Sequence, residues 1–459
     1  MADKFDAIIV GAGIAGAAAA YFLSVRHGYK HIAIVESGDP LSLTSDKSTE
    51  CYRNWWPGPG STMVDFSNRS IDLLEELSLA TGERFSMNRR GYAFATADEA
   101  TVDTLRQSAL EAESLGAGEY REHTDSATSG YPDHRPSGWQ SMPTGMDLLL
   151  APDLIHRQFP GLSADTRAVL HVRRCGWIRA QQLGSFFLEQ AREAGAKLVR
   201  GEVVDIDVQA GTARGVRVLT PEGEEQVLST DCVVLSPGPG LGRTLDMIGV
   251  TLPISYECHV KVALKDHMEA MHPGSPLLLW MDPVTLPWSA DESAVLGEDE
   301  STRYLVQPFP GGVHGRPEGA KDNHHALMLW TYDIEPVEPT FPIRHDPHLP
   351  EIIVRGMSRM LPGMQHYFDP LPKIPVDGGY YTKTPENRPL IGPSGVNGVF
   401  INAAYSGFGI MTACAGGELL AKHVTGGALP SYAPALSPDR FDDPHYLDAF
   451  GGAADAGQM

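Results

Sequence analysis

Residues 11–16 read Gly-Ala-Gly-Ile-Ala-Gly, and an acid, Glu36, stands 25 positions after Gly11. Between a strand and a helix, glycines at this spacing have distinct uses. Gly11 permits a tight turn, Gly13 lets backbone approach a pyrophosphate, and Gly16 lets the helix pack closely on the strand. The first turn of that helix, with Ile14 and Ala15, offers N–H groups and a partial positive charge to phosphate oxygens. A carboxylate at the end of the next strand, with Ser37 beside it, accepts hydrogen bonds from ribose hydroxyls. The chemistry implied is dinucleotide binding.

A second segment near the other end follows the same logic. The apolar stretch Val399 to Ala404 leads into Tyr405-Ser406-Gly407-Phe408-Gly409 and a small-residue helix, Ile410 to Ala421. A further close backbone approach at a helix N-terminus suits a second large cofactor moiety. It would stabilise the negative charge a reduced flavin carries near N1 and its C2 carbonyl. Tight packing of a helix on a sheet would use the same glycines. A nicotinamide dehydrogenase asks nothing more of the far C-terminus, so the pair of segments favours FAD.

The elements that must position these residues follow from the apolar pattern. Asp6 to Val10 and His31 to Val35 read as short buried strands flanking an Ala-rich helix that runs to about Arg26. Helices are expected around Val64 to Leu77, Val102 to Ala112 and Leu183 to Ala191. Strands are expected at Gly91 to Thr96, Leu198 to Val208, Gly215 to Leu219, Cys232 to Leu235 and Leu277 to Trp280. Tyr304 to Phe309 and Ala326 to Tyr332 read as further strands. Tyr256 to Leu264 alternates apolar with polar residues, as a half-exposed strand should. Residues 119–146, rich in Ser, Gly, Pro and charge, read as a surface excursion, and 430–459 as an extended arm. There is no internal repeat.

The chain has 459 residues, 42% apolar and 20% charged, which is ordinary globular usage and sufficient for two or three domains. Its 36 Lys and Arg against 58 Asp and Glu leave a net charge of −22. That argues against nucleic acid or anionic lipid as a main partner. Five scattered cysteines with no CxxC argue against a disulfide framework or a thiolate zinc site and suit a reducing compartment. The uncharged run Ala7 to Leu23 follows acids rather than a basic region and is broken by glycines. It reads as a strand and helix, with no export signal and no membrane span, so a cytoplasmic location is expected.

Five stretches together resemble the D-amino acid oxidase superfamily of flavoproteins, and within it the glycine oxidase and sarcosine oxidase type. They are GAGIAG with Glu36, TSDKSTECYR at 44–53, WIRAQQL at 177–183, VVLSPGPG at 233–240, and YYTKTPENRPLIGP at 380–393, which runs on into NAAYSGFGIMTACAGGELL. The resemblance implies an α/β (α+β) fold. A Rossmann-like FAD-binding domain would comprise 1–86, 175–252 and 378–430. A discontinuous, largely antiparallel substrate domain would comprise 87–174 and 253–377, with 431–459 as an arm. It implies oxidation of a C–N bond by hydride transfer to flavin N5, giving an imine that hydrolyses, with oxygen or another acceptor taking the electrons. The substrate would be a small amine or amino acid; the oligomeric state stays open.

Residue by residue, the resemblance places Gly11, Gly13, Gly16 and Glu36 on the FAD phosphates and ribose. Ser45, Ser48 and Thr49 fall in the loop along the flavin, and Val204 falls at the adenine. Ser236 and Gly238 fall in the turn on the flavin side of the sheet. Gly407, Phe408, Gly409, Ile410 and Met411 face the pyrimidine edge. Arg53 falls where sarcosine oxidases bind the substrate carboxylate, and Tyr381 on a strand near the substrate. Gly379 stands where monomeric sarcosine oxidases carry their flavin-linking cysteine. No histidine lies between Ser42 and Tyr52. Non-covalent FAD is therefore implied. Met411 replaces the lysine that would join Arg53 in a carboxylate clamp.

Several side chains keep two readings. Arg53 serves a carboxylate clamp through its planar fork, or a structural ion pair. Trp55 and Trp56 wall a cationic amine site, or fill the core. Tyr381 orients the substrate amine, or is simply buried. His259 suits proton transfer from a protonated amine, or is a structural histidine. Lys261, Lys265 and Lys321 are all candidates for a cation that promotes reaction with oxygen. His314, His324, His325, His345 and His348 fit no standard metal frame, and no metal is expected. Oxidation of a 2-hydroxy acid or polyol, and a non-catalytic flavoprotein used in assembly, are the alternatives.

Overall fold

The computed structural model describes residues 4–450 apart from 57, 128–129, 134–137 and 320–322. Lys321 and parts of the segments 119–146 and 430–459 therefore lie outside the described residues.

Two sheets dominate. The first has six strands in the order Leu390–Pro393, Val399–Ala403, Val233–Leu235, Ala7–Val10, Ile32–Glu36, Lys197–Arg200. All its pairs are parallel except the edge pair Leu390–Pro393 with Val399–Ala403. Ala7–Val10 is apolar throughout because both faces are covered. Ala7 and Ile9 pack under the helices, whereas Ile8 and Val10 pack toward an antiparallel three-stranded sheet, Glu202–Gln209, Thr212–Leu219 and Glu225–Ser229. The first helix is regular over Ile14–Tyr21 and widens into a π turn over Phe22–Arg26. The last helix, Gly409–Thr425, crosses it closely: a Cβ on Gly417 would stand 3.0 Å from the Ala18 carbonyl.

The second sheet has nine strands, from the edge strand Val376–Lys383 through Ser255–Lys265, His325–Leu329, His314–Glu318, Leu277–Trp280, Tyr92–Thr96, Ala168–Val172 and Met146–Leu149 to Tyr120–His123. It is antiparallel except where Leu277–Trp280 meets Tyr92–Thr96 and Tyr120–His123 meets Met146–Leu149. The helix Leu349–Met360 buries Ile352, Ile353, Met357 and Met360 against it. A short ribbon, Cys51–Arg53 with Cys175–Trp177, forms between residues assigned above to the FAD domain. The mixed α/β architecture is the fold expected.

Three expectations need correction. Tyr304–Phe309 is a 3₁₀ turn, Arg303–Val306, followed by only two strand residues, Pro308 and Phe309. Residues 119–146 are not merely a surface excursion. Tyr120–His123 and the start of Met146–Leu149 complete the large sheet, and Asp147 is wholly buried because Arg121 and His123 hydrogen-bond its carboxylate. The arm is not extended. Over its described part it folds into 3₁₀ turns held by a buried Arg440–Glu386 ion pair, with Nε to Oε1 at 2.8 Å. The strand Val376–Lys383, which crosses residue 378, pairs along its length with Ser255–Lys265 of the large sheet. The helices Pro152–Gln158, Ala290–Glu298 and Leu349–Met360 were not anticipated.

Candidate active site

A cavity of about 950 Å³ opens where the carboxyl ends of the parallel strands face the large sheet. One end is built by the glycine turn. Gly11 has φ +98°, and a Cβ there would stand 2.3 Å from the Ser236 carbonyl oxygen, so only glycine fits. The Ile14 N–H donates to Ser45 Oγ at 3.0 Å. The Glu36 carboxylate accepts the N–H groups of Ala12 at 2.8 Å and Gly38 at 2.9 Å. Glu36 thus ties the turn to the end of its own strand, and Ser37 lines the cavity beside it. The wall beside Glu36 comes from Gly201, Glu202 and Val203, with the Gly201 N–H donating to the Glu36 carbonyl. Val204, expected there, does not line the cavity. The strand bulges between Val203 and Asp205, and the bulge shifts the register by a residue.

The other end is built by the turn before the last helix. Ala404 and Ser406 both have positive φ, 55° and 50°, unusual for residues with a Cβ. Between and beyond them, Tyr405, Gly407, Gly409 and Ile410 line the cavity. A Cβ on Gly407 would stand 2.6 Å from Tyr381 Cε2. The helix has no side-chain cap at Phe408, so its first N–H groups are left for another acceptor. Phe408 and Met411 are buried behind this turn, with the Phe408 ring edge-on to Trp56 at 4.6 Å. Ser236 and Gly238 line the wall between the two ends, and Gly16 packs against Gly11 behind it.

The loop from Thr44 to Thr49 closes one side and is tied to the large sheet. Thr44 Oγ1 donates to the Tyr380 carbonyl at 2.9 Å, and Arg316 Nε to the Thr49 carbonyl at 2.8 Å. Lys261 Nζ donates to the Ser48 carbonyl at 3.0 Å and the Asp46 carbonyl at 3.3 Å. Burial pulls the Lys261 ammonium below its ordinary pKa. Lys265 is exposed at the end of that strand. Ser45 and Ser48 line the cavity; Thr49 lies outside it.

Of the candidate catalytic residues, Tyr381 lines this cavity, whereas Arg53 and His259 do not. The His259 imidazole stacks on the Tyr381 ring with centroids 3.9 Å apart and planes 15° apart. Burial lowers the His259 pKa, although Glu257, hydrogen-bonded to it, pushes the other way. Burial raises the Tyr381 hydroxyl to about 12. Arg53 is 1% exposed, its guanidinium 4.5 Å from the Trp56 ring and 5.9 Å from the Tyr92 ring. Trp55 packs on Phe94. His314, on the large sheet, is buried, and burial pushes its pKa down to about 4. Of the other histidines in its stretch, His324 bonds the Met271 carbonyl and His325 lies farther along the next strand. Among the described residues no group of three or more His, Cys, Asp or Glu could hold a metal ion, and no helix is long and apolar enough to cross a membrane.

Several contributors were not found by reading the sequence: Leu41, Arg243, Tyr256, Asn402, Glu257 and Lys383. Asn402 Nδ2 donates to the Ala15 carbonyl at 3.0 Å, and its Oδ1 accepts the Tyr405 hydroxyl. Tyr256 OH accepts the Gly242 N–H at 2.9 Å. The alternating pattern of YECHVKVAL gave the one usable signal for Glu257.

The cavity fits FAD in its chemistry. Two buried hydroxyls that line it, Ser236 Oγ and Ser406 Oγ, have no hydrogen-bond partner among the described residues, and buried polar atoms of this kind call for one. Glycines stand where a Cβ would fill the cradle.

Residues 6–423 match the family model described as DAO, FAD dependent oxidoreductase. The chain belongs to that family and is an FAD-dependent oxidoreductase. Among solved structures it is similar to L-proline dehydrogenase from P. horikoshii, with 19% identity, a TM-score of 0.71, and coverage of 97% of this chain and 99% of that one. Glycine oxidase from Geobacillus kaustophilus gives 18%, 0.70, and 95% and 99%. Iminodiacetate oxidase from Chelativorans sp. gives 18%, 0.67, and 94% and 98%. At these identities the likeness shows the fold. A search of curated proteins found no match.

Proposed function

We propose that this chain oxidises the C–N bond of an amine or amino acid. The observation that carries the reading is the buried His259 imidazole stacked on Tyr381, the ring that lines the cofactor cavity, with centroids 3.9 Å apart. Bound FAD supplies the hydride acceptor. The chain must hold the donor carbon in a dry pocket and present the nitrogen unprotonated. His259, kept neutral by burial, is suited to take the ammonium proton. Arg53, fixed over Trp56 and with Met411 in place of the second cation the resemblance implies, suits a single carboxylate held by one cation. Tyr381 walls the site with a hydroxyl that stays protonated at neutral pH.

The cofactor would be held without a covalent link: Gly379 offers no thiol, and its absent Cβ would stand 3.0 Å from Thr44 Cα. The FAD-binding part would comprise 1–86, 175–252 and 378–430, and the substrate part 87–174 and 253–377. Product analysis tests the reading. With an acyclic substrate, one equivalent of ammonia or alkylamine should appear per substrate oxidised, whereas a cyclic amine keeps its nitrogen in the ring-opened product. Oxidation of an acyclic substrate without release of nitrogen would overturn it in favour of a 2-hydroxy acid or polyol.

A further inference from the structure

The strands Ser255–Lys265 and Val376–Lys383 pair with Glu257 opposite Tyr381 and His259 opposite Gly379. Directly opposed residues share a face of the sheet. The face that carries Tyr381 into the cavity therefore also carries Glu257, His259, Lys261 and Lys383. Along a strand bordered by water, such alternation needs no further explanation. Here the polar side is closed over by the loop 44–49, and the groups on it are bonded in series. Lys383 Nζ donates to Glu257 Oε1 at 2.7 Å, and Glu257 Oε2 lies 3.0 Å from His259 Nε2. The side chains are only 5%, 10% and 7% exposed for Lys383, Glu257 and His259.

The direction of the second bond is fixed by chemistry. Burial works to raise the Glu257 carboxyl, but hydrogen bonds from His259 and Lys383 outweigh it and hold the group below the ordinary carboxylate value. An ionised carboxylate only accepts. His259 Nε2 therefore carries the proton, and Nδ1 is the basic nitrogen of the neutral ring. Gly379, opposite His259, brings no side chain to compete for the space in which the imidazole leans across to Tyr381.

We propose that Glu257 and Lys383 are positioning residues that hold His259 flat on Tyr381 with its proton on Nε2, and so set the pH at which the site accepts a proton. This rests on the amine-oxidation reading for its use, but not for its test. Lys383 has a second part: its charge opposes that of Glu257, so the pair balances the field on His259. The other charged or titratable groups around His259 are Lys261 on its own strand, bonded to the Asp46 and Ser48 carbonyls, Lys47 with its partners Asp46 and Asp377 on the neighbouring loop and strand, Tyr381 beneath it, His314 from the large sheet, and Arg53.

The test is histidine-selective NMR of the FAD-loaded protein without substrate, the His259 signal being assigned by its loss in His259→Asn. Glu257→Gln keeps an acceptor but removes the charge, and leaves Lys383 facing the ring. The His259 pKa should fall by about one unit or more. Lys383→Met removes the opposing cation, and the His259 pKa should rise by a similar amount. Shifts of opposite sign support the proposal. Shifts of the same sign, no shift in either variant, or a proton found on Nδ1 overturn it, because a merely structural pair would disturb the ring alike from either end. The acid limb of the kcat/KM profile with an amine substrate should move with the NMR values. If the NMR shifts appear and the limb does not follow, the positioning stands and the assignment of His259 to amine deprotonation fails.

Discussion

Gly407 lies against Tyr381: a Cβ on the glycine would stand 2.6 Å from Tyr381 Cε2 and 3.0 Å from Cζ. The tyrosine cannot retreat easily, since its ring is stacked on His259. The close approach thus joins the turn before the last helix to the edge strand of the large sheet, across the mouth of the cofactor cavity.

Gly407→Ala should push the turn and Tyr381 apart. Overpacking of this kind costs about 1–3 kcal/mol. FAD affinity should fall at least about tenfold, by fluorescence titration of the cofactor-free protein, with secondary structure retained by circular dichroism. Unchanged affinity would contradict the placement of Tyr381 against the turn.

At the opposite end of the cavity, Glu36 accepts the N–H groups of Ala12 and Gly38. Glu36→Ala leaves both donors without that partner and loosens the glycine turn. Hydrogen bonds to a charged group contribute about 1.5–3 kcal/mol. FAD binding should weaken by roughly one to two orders of magnitude, and Glu36→Gln, which keeps an acceptor, should lose less. An equal loss in the two variants would argue that charge alone matters there.

His314 gives a pH dependence of stability with a definite sign. Its pKa is about 4 in the folded protein because burial disfavours the cation, against about 6.5 in an unfolded chain. Between those values the unfolded state binds a proton that the native state does not. Stability contributed by neutral His314 is therefore complete above about pH 6.5 and is lost as pH falls toward 4, at up to about 1.4 kcal/mol per pH unit. The slope of urea-unfolding free energy against pH should flatten in His314→Gln over that window. Equal slopes would contradict a neutral buried imidazole.

Much of this was legible in the residues themselves. The glycine turn, Glu36 and the Gly407–Gly409 segment act through backbone geometry, which glycine spacing reports directly. Side-chain direction was harder. Val204 missed the cavity by one position because a bulge after Val203 is a matter of pairing, which a single strand does not display. Tyr256 to Leu264 was read as half-exposed from its alternation. Most of that strand is partly exposed, but its polar side chains Glu257 and His259 are buried in a row with Lys383, and periodicity cannot distinguish a wet face from a buried polar one. Asp147 and Arg440 sit in stretches whose composition suggests surface. Each is buried by a partner distant in sequence: Asp147 by Arg121 and Arg173, Arg440 by Glu386.

The central claim is that the FAD-loaded chain takes hydride from a carbon bonded to nitrogen. It is tested most directly by the visible absorbance of the purified, FAD-loaded protein under exclusion of air, during addition first of pooled amino acids and N-methyl amines and then of pooled 2-hydroxy acids. The account predicts bleaching of the flavin band by the nitrogen compounds and none by the hydroxy acids. A band bleached only by hydroxy acids, or by neither pool, would contradict it.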